Sequence, residues 1–334
     1  MATITQRASG CLFGLAFGDA LGADTEFLNV AEIVRRYPPD GLRTLQGHPA
    51  RVTDDTQMAL AVGEALLSVS PPYTAAKVGE PLQRAFVAWS ESPENNRAPG
   101  MTCMSACRQL ARGIVWYEAT VAQSKGCGAN MRVAPAGLLP HCTPETRAAL
   151  AQFQAALTHG HPTGLTAADL TATTVAYLAA GNALPALPAY LRDYIHSQRT
   201  YYHETWLGPL WQRSRQPTPA AFIAQGWDEC LLALDRQEDA LKIRDREQDP
   251  CLFTGEGWVA EEAFATGLLC FLFYSDEPRE ALRRAATTSG DSDSIACLTG
   301  AFAGAYHGLA IWPADWVERI EYRDRLARLG AAWD

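Results

Sequence analysis

Residues 10–22, GCLFGLAFGDALG, carry a glycine at every fourth position, and GAFAGAYHG at 300–308 repeats that spacing near the other end of the chain. Residues four apart lie on one face of an α-helix, so each stretch would form a helix with one smooth side. An interior glycine costs a helix up to about 1 kcal/mol relative to alanine. We therefore expect the glycines to serve packing, and the spacing predicts a close helix pair at the centre of the molecule.

Helical periodicity extends over most of the remaining sequence. Apolar residues recur every three or four positions in TQMALAVGEALLSV (56–69), ETRAALAQFQAALTHG (145–160), LTAADLTATTVAYLAAG (165–181) and AEEAFATGLLCFLFY (260–274). We find no alternating strand pattern of useful length, and no repeat beyond the glycine spacing. The sequence predicts an all-α protein with one compact domain over residues 1–334.

Composition limits the partners. The 334 residues carry a formal net charge of −9, whereas binding to a nucleic-acid backbone needs a basic surface. We expect no nucleic-acid partner and no membrane association, because uninterrupted apolar runs of about 20 residues are missing. The start, MATITQRASG, lacks the features of a signal peptide, so we expect a cytoplasmic location.

Two acidic clusters lie almost the whole chain apart, Thr53-Asp54-Asp55-Thr56 and Asp291-Ser292-Asp293-Ser294. Helix capping is one interpretation, because Asp, Ser and Thr are preferred at helix starts, and Asp54 with Gln57 fits a capping box. Adjacent carboxylates, however, repel each other unless a cation lies between them. Their all-oxygen donors suit Mg²⁺ or Mn²⁺. If the clusters meet in space, they would form a two-metal site.

The sequence also resembles the ADP-ribosylglycohydrolase family. The motifs that carry the resemblance span most of the chain, in the order GLAFGDALGADTEF (14–27), TDDTQM (53–58), a PG pair (99–100), GCGANMRVAPAGLL (126–139), THGHP (158–162), GEGWVAEEA (255–263) and SGDSDSIACLTGAFAGAYHG (289–308). The resemblance implies an all-α fold with a central cleft that holds two Mg²⁺ or Mn²⁺ ions. It also implies hydrolysis of the bond between ADP-ribose and an acceptor.

The resemblance assigns the metal ligands to Thr53, Asp54, Asp55, Asp291, Asp293 and Ser294. Glu26 matches an acidic residue at the metal site, and Asp55 or Glu26 would exchange the proton during catalysis. Asp19 would support the ligands from behind, although it could equally be a packing contact at a helix end.

The glycine-rich segment from Gly126 to Arg132 could expose backbone amides to a diphosphate. A glycine pair by itself more often marks a turn. The resemblance implies that the residues contacting ADP-ribose are Gly126, Gly128, Ala129, Met131, His159 and Trp258. Trp258 could instead be a core tryptophan, and we expect Arg132 to be structural rather than phosphate-binding.

Two positions depart from the family pattern. Ser289 and Cys127 stand where many relatives have glycine and asparagine, and we expect effects on affinity or acceptor preference before catalysis.

These features predict a metal-dependent hydrolase acting on an ADP-ribosylated protein, with arginine as the expected acceptor. The alternatives are an immunity factor that neutralises an ADP-ribosyltransferase toxin, an inactive ADP-ribose-binding or structural relative, and a metal-dependent hydrolase of another class such as a phosphatase.

Overall fold

A computed structural model describes residues 5–334, in which the regular structure is helical. The β-pairing in this range consists of isolated bridges, such as Val121 with His159 and Gly126 with Val259. The helices are α1 (Arg7–Gly22), α2 (Val30–Arg36), α3 (Asp54–Leu67), α4 (Ala75–Ser90), α5 (Met101–Ala111), α6 (Trp116–Ala119), α7 (Ala134–Leu138), α8 (Pro144–Ala156), α9 (Pro162–Ala179), α10 (Leu187–Gln198), α11 (Glu204–Leu207), α12 (Pro219–Ile243), α13 (Cys251–Thr254), α14 (Ala260–Phe273), α15 (Pro278–Ala285), α16 (Ser292–His307), α17 (Ala314–Arg319) and α18 (Arg323–Trp333). The all-α prediction is confirmed.

Helices α1 and α16 form the predicted close pair and run antiparallel. A Cβ atom added to Gly14 would lie 2.2 Å from the Gly300 carbonyl oxygen, and one added to Gly18 would lie 1.9 Å from the Ala296 carbonyl oxygen. Neither position can hold a side chain at this separation, because ordinary contacts need about 3.4 Å. The glycine spacing therefore sets the distance between the two central helices.

Several helix starts follow local capping rules. The hydroxyls of Thr143 and Thr218 accept hydrogen bonds from the third residue of α8 and α12, and proline follows each threonine. Proline suits the first helical position because that residue needs no amide donor. The charged stretch 235–250 covers the end of α12 and the loop after it.

The other helices pack around the central pair. Helices α9 and α14 contact α16, while α3 and α18 contact α1, and the buried apolar side chains form one continuous cluster. Within residues 5–334, no helix is both long and apolar enough to cross a membrane. The end of α1 and the start of α16 lie together at one end of the central pair, and this end carries the acidic residues.

Candidate active site

The antiparallel pairing brings the end of α1 to the start of α16. A Cβ atom on Gly22 would lie 2.2 Å from Cα of Asp293, so the α1 backbone touches the second acidic cluster directly. The loop after α1 carries Glu26, and α3 begins beside it with the first acidic cluster. The two clusters, more than 230 residues apart in sequence, therefore meet in space.

Asp19 joins α1 to the start of α3. Its buried carboxylate accepts hydrogen bonds from the amides of Thr53 (2.9 Å) and Thr56 (3.0 Å), and from the Thr56 hydroxyl (2.5 Å). A carboxylate here satisfies amides that the helix leaves free and complements the helix dipole. Asp19 thus makes the helix-end contact, and through it positions the first acidic cluster.

The capping box expected from Asp54 and Gln57 is wrong. Thr53 is the N-cap of α3, and its hydroxyl accepts from the Asp55 amide at 3.3 Å. The Gln57 side chain instead bonds to Trp89 and Tyr322. The Asp54 and Asp55 carboxylates are therefore not needed to start the helix.

Carboxylates and hydroxyls face each other across the junction. Ligand atoms of Glu26, Asp291 and Asp293 all lie within 4.8 Å of one another. The Thr53 hydroxyl lies 3.5 Å from Asp293 Oδ2, and Asp55 Oδ2 is buried without a hydrogen-bond partner among the described residues. Burying a carboxylate oxygen without a partner costs free energy, so we expect a bound donor or cation to complete this site.

The pKa values of the acidic residues also indicate carboxylates that lack a cation. Burial, then the charge of Asp293, raises the pKa of Glu26 to about 9 and that of Asp54 to about 8. Burial and neighbouring carboxylates also raise the pKa of Asp55 and Asp291 well above the usual range. Among the described residues, the leading charges that act on these four carboxyls are those of other carboxylates. The oxygen-only donor set fits a hard divalent cation such as Mg²⁺ or Mn²⁺.

The glycine-rich segment lies against this cluster. Gly126 and Gly128 are half-buried, whereas Ala129 and Met131 are buried in the core cluster. The Gly128 amide donates to no acceptor among the described residues, and the segment is tied down by Cys127 N–H donating to the Trp258 carbonyl at 3.2 Å. A ligand can therefore reach this segment at its glycines rather than at the side chains of Ala129 or Met131.

His159 and Trp258 flank the glycine segment from two sides. His159 is buried, and its Nε2 lies 3.4 Å from the position of a Cβ on Gly126. Trp258 is 40 % exposed, so it is not a core tryptophan. Its ring stacks on exposed Phe27 with centroids 5.6 Å apart, which links it to the loop carrying Glu26. Phe27 was not predicted, because nothing in the sequence marks its partner.

Arg132 is fully buried, in agreement with its expected structural role.

Cys127 lies closer to the acidic cluster than the sequence suggested. Its thiol donates to Asp291 Oδ2 at 2.8 Å and lies 3.3 Å from the Ser294 hydroxyl. The departure from the family pattern therefore touches two of the expected metal ligands, and the effect we expect from it remains a prediction.

A cavity of about 780 Å³ opens beside the cluster. Glu26 and Thr53 line its inner end, and Asp24, Arg51, Asn96 and Arg97 line its walls. Arg97 is engaged with Glu321 Oε1 at 2.8 Å, whereas Asp24 makes no ion pair or side-chain hydrogen bond among the described residues. The glycine segment and His159 are not among the residues that line this cavity.

The all-α fold and the meeting of the acidic clusters agree with the class of hydrolase that the sequence resemblance implied, one that acts on ADP-ribose linkages. The family model described as ADP-ribosylglycohydrolase matches residues 1–333, and the chain belongs to this family.

Three comparisons illustrate the relationship. The chain is 25% identical to the ADP-ribosyl-[dinitrogen reductase] glycohydrolase of Rhodospirillum rubrum, over 96% of this chain and 92% of that one. It is 26% identical to ADP-ribosylarginine hydrolase Tri1 of Serratia proteamaculans, over 97% and 77%. A solved structure titled ADP-ribosylglycohydrolase-related protein complex shares the fold, with a TM-score of 0.66, 24% identity and coverage of 98% and 96%.

Proposed function

We propose that the protein is a metal-dependent hydrolase that removes ADP-ribose from arginine side chains of modified proteins. The observation that carries the proposal is the meeting of the two acidic clusters at the junction of α1, α3 and α16, beside both the glycine segment and the cavity. We place the acceptor in the cavity and the diphosphate of ADP-ribose at the glycine segment.

The residues that would hold two Mg²⁺ or Mn²⁺ ions are Thr53, Asp54, Asp55, Asp291, Asp293 and Ser294. The unpartnered Asp55 oxygen and the raised carboxyl pKa values support this assignment, because both describe carboxylates that lack a cation. The chemistry that such ions would supply when bound is a lowered pKa of a water molecule and charge stabilisation at the reacting bond. Asp19, held by the amides of α3, keeps the first cluster in register with the second.

Hydrolysis forms a bond from water oxygen to the anomeric carbon of ribose, breaks the bond to the acceptor, and returns one proton to the leaving group. We assign the proton transfer at the acceptor to Glu26, because it lines the cavity, whereas Asp55 is buried at the start of α3. Asp55 would accept the proton of the attacking water. The glycine segment would orient the diphosphate while the bond breaks.

The acceptor proposal rests on Asp24. Asp24 lines the cavity two residues before Glu26, and its carboxylate makes no ion pair or side-chain hydrogen bond in the described range. A guanidinium matches a carboxylate in charge and can bind it with two parallel hydrogen bonds. Arg51 on the same cavity suits an acidic or polar group beside the modified arginine. The named activity of the Serratia relative agrees with this choice.

The deciding experiment measures release of ADP-ribose from ADP-ribosylarginine, ADP-ribosylserine and ADP-ribosylated nucleic acid, each with Mg²⁺, with Mn²⁺ and with EDTA. We expect release from the arginine conjugate in the presence of metal and none in EDTA. Preferred release from serine or nucleic acid would overturn the acceptor assignment. Equal release in EDTA would overturn the metal assignment.

A further inference from the structure

Arg132 is a buried cation without a carboxylate partner among the described residues. Its guanidinium donates from Nε to Gln154 Oε1 at 2.8 Å and from Nη2 to the Gln154 carbonyl at 2.8 Å, and it lies 4.3 Å from the centroid of the Phe86 ring. Nη1 reaches only the sulfur atoms of Met58 and Cys103, each at 3.5 Å. A cation held by neutral acceptors is costly to bury, so its retention asks for a further reason.

One more bond of this guanidinium supplies that reason. Nη2 of Arg132 donates to the hydroxyl oxygen of Thr158 at 2.8 Å. Because arginine has donors only, the Thr158 hydroxyl cannot donate back, and its single hydrogen must go elsewhere. Nδ1 of His159 lies 2.8 Å from this oxygen, and the Ala155 carbonyl lies 3.5 Å away. The shorter contact takes the hydrogen, so Nδ1 of His159 is an acceptor.

The other ring nitrogen of His159 then carries the proton. The ring is neutral, because burial and the charge of Arg132 lower the pKa of His159 to about 3. A neutral imidazole has one donor and one acceptor nitrogen, and the tautomer follows from the bond that the first nitrogen makes. With Nδ1 accepting, Nε2–H is a donor.

Nε2 of His159 points at the glycine segment. It lies 3.4 Å from the Cβ position of Gly126 and 3.5 Å from that of Gly128. His159 is only 2 % exposed, yet Nε2 makes no hydrogen bond within residues 5–334. Nε2 is not one of the fully buried polar atoms that lack a partner in the described residues, so this nitrogen is open to solvent and a ligand oxygen can reach it.

We propose that Arg132 is a positioning residue that acts through Thr158 to hold His159 as the Nε2–H tautomer, so that the ring donates a hydrogen bond to an oxygen of bound ADP-ribose. The proposal rests on the proposed function for the identity of the ligand. Phosphate oxygens accept hydrogen bonds and cannot donate them, so a ring that donates from Nε2 favours phosphate as its partner. In the opposite tautomer the lone pair of Nε2 would face a lone pair of the phosphate oxygen. Glycine at 126 and 128 keeps the path to Nε2 free of side chains.

The tautomer can be measured directly in the full-length, metal-bound protein. Long-range ¹H–¹⁵N correlation spectra distinguish protonated Nε2 from protonated Nδ1, and loss of one signal set in His159→Gln assigns the residue among the seven histidines. We expect Nε2–H in the unmodified protein before any ligand is added. A spectrum showing Nδ1–H would overturn the proposal without any variant.

Two matched variants test the chain of hydrogen bonds from Arg132 through Thr158 to His159, which we call the relay. Thr158→Val keeps the shape of the side chain and removes the hydroxyl, whereas Thr158→Ser keeps the hydroxyl. We expect Thr158→Val to show a mixture of tautomers and to bind ADP-ribose about tenfold more weakly, a change of about 1.4 kcal/mol in binding free energy. Thr158→Ser should restore both the Nε2–H signal and the affinity.

The outcomes separate this proposal from the function on which it rests. Unchanged tautomer and unchanged affinity in a folded Thr158→Val protein would overturn the relay while leaving the hydrolase assignment in place. Failure of the unmodified protein to bind ADP-ribose, with Nε2–H present, would instead overturn the proposed ligand. Inorganic diphosphate serves as a second probe, because its binding should weaken in Thr158→Val if the acceptor is a phosphate oxygen.

Discussion

The separation of α1 and α16 can be tested by adding a single methyl group. In Gly300→Ala the new Cβ would lie 1.9 Å from the carbonyl oxygen of Gly14, where ordinary contacts begin at about 3.4 Å. That oxygen is backbone and cannot rotate away. The two helices would have to separate locally by about 1.5 Å, and the same movement would pull the start of α16, with Asp293, away from Gly22.

The expected loss follows from overpacking. Forcing extra atoms into a packed core costs about 1–3 kcal/mol, and a clash with backbone belongs at the upper end of that range. With an unfolding entropy of about 2.1 cal/mol/K per residue, a loss of about 3 kcal/mol lowers Tm by about 4 °C for a chain of this length. Binding of Mn²⁺ should weaken as well, because the two acidic clusters move apart.

The control is Gly79→Ala in α4. Gly79 is also buried and helical, but a Cβ there would meet the nearest atom, Cζ of Phe153, at an ordinary 3.5 Å. Alanine is the better helix former by up to about 1 kcal/mol, so Tm should rise by about 1 °C. Differential scanning calorimetry measures Tm, and titration calorimetry measures Mn²⁺ affinity, for both variants. If Gly300→Ala matched Gly79→Ala in Tm, the glycine stripe would not set the helix separation.

Four further outcomes are expected. Asp54→Ala and Asp291→Ala should each abolish Mn²⁺ binding in titration calorimetry and abolish hydrolysis while leaving circular dichroism unchanged; activity in either variant would contradict the two-metal assignment. Gly128→Val should weaken ADP-ribose binding but not Mn²⁺ binding, because a Cβ there already lies 3.0 Å from Cys103 Sγ and 3.2 Å from His159 Cε1; normal calorimetric affinity would make the segment merely structural. Carboxyl pKa values raised to about 8 at Asp54 and about 9 at Glu26 mean that the contribution of these two groups to metal-free stability is greatest below pH 4 and is lost as pH rises towards 9, so the Tm increase caused by Mn²⁺ should be larger at pH 8 than at pH 5.5; equal increases would refute the linkage. Asp24→Asn should lower kcat/KM for ADP-ribosylarginine about tenfold and leave ADP-ribosylserine within twofold, and an equal loss on both would remove Asp24 from acceptor recognition.

Local pattern was enough for much of the fold. The four long periodic stretches match α3, α8, α9 and α14, because an apolar face repeated every three or four residues has few other ways to be buried. The capping box failed for a tertiary reason: the amides of α3 are satisfied by Asp19 from another helix, which leaves Gln57 free to bond elsewhere. Capping rules consider only residues that are close in the sequence.

The candidate site also has features that the sequence predicts and features that it does not. The hard-cation chemistry of the two acidic clusters follows from residue type, since adjacent carboxylates and hydroxyls have the same donor atoms in any fold. The contact of Cys127 with Asp291 and the stacking of Phe27 on Trp258 could not be predicted, because each joins segments that only the folded chain brings together.

The sequence by itself determined the helical class, the close pairing of the glycine-rich helices and the kind of cation the acidic residues would suit. These are properties of short segments, fixed by residue size, charge and spacing. Only the tertiary structure decided the direction of the helix pair, and with it which ends carry the acidic clusters to one place. It alone also aligned Arg132, Thr158 and His159, because a hydrogen-bond relay depends on distances of about 3 Å between groups whose placement the packing of several helices sets.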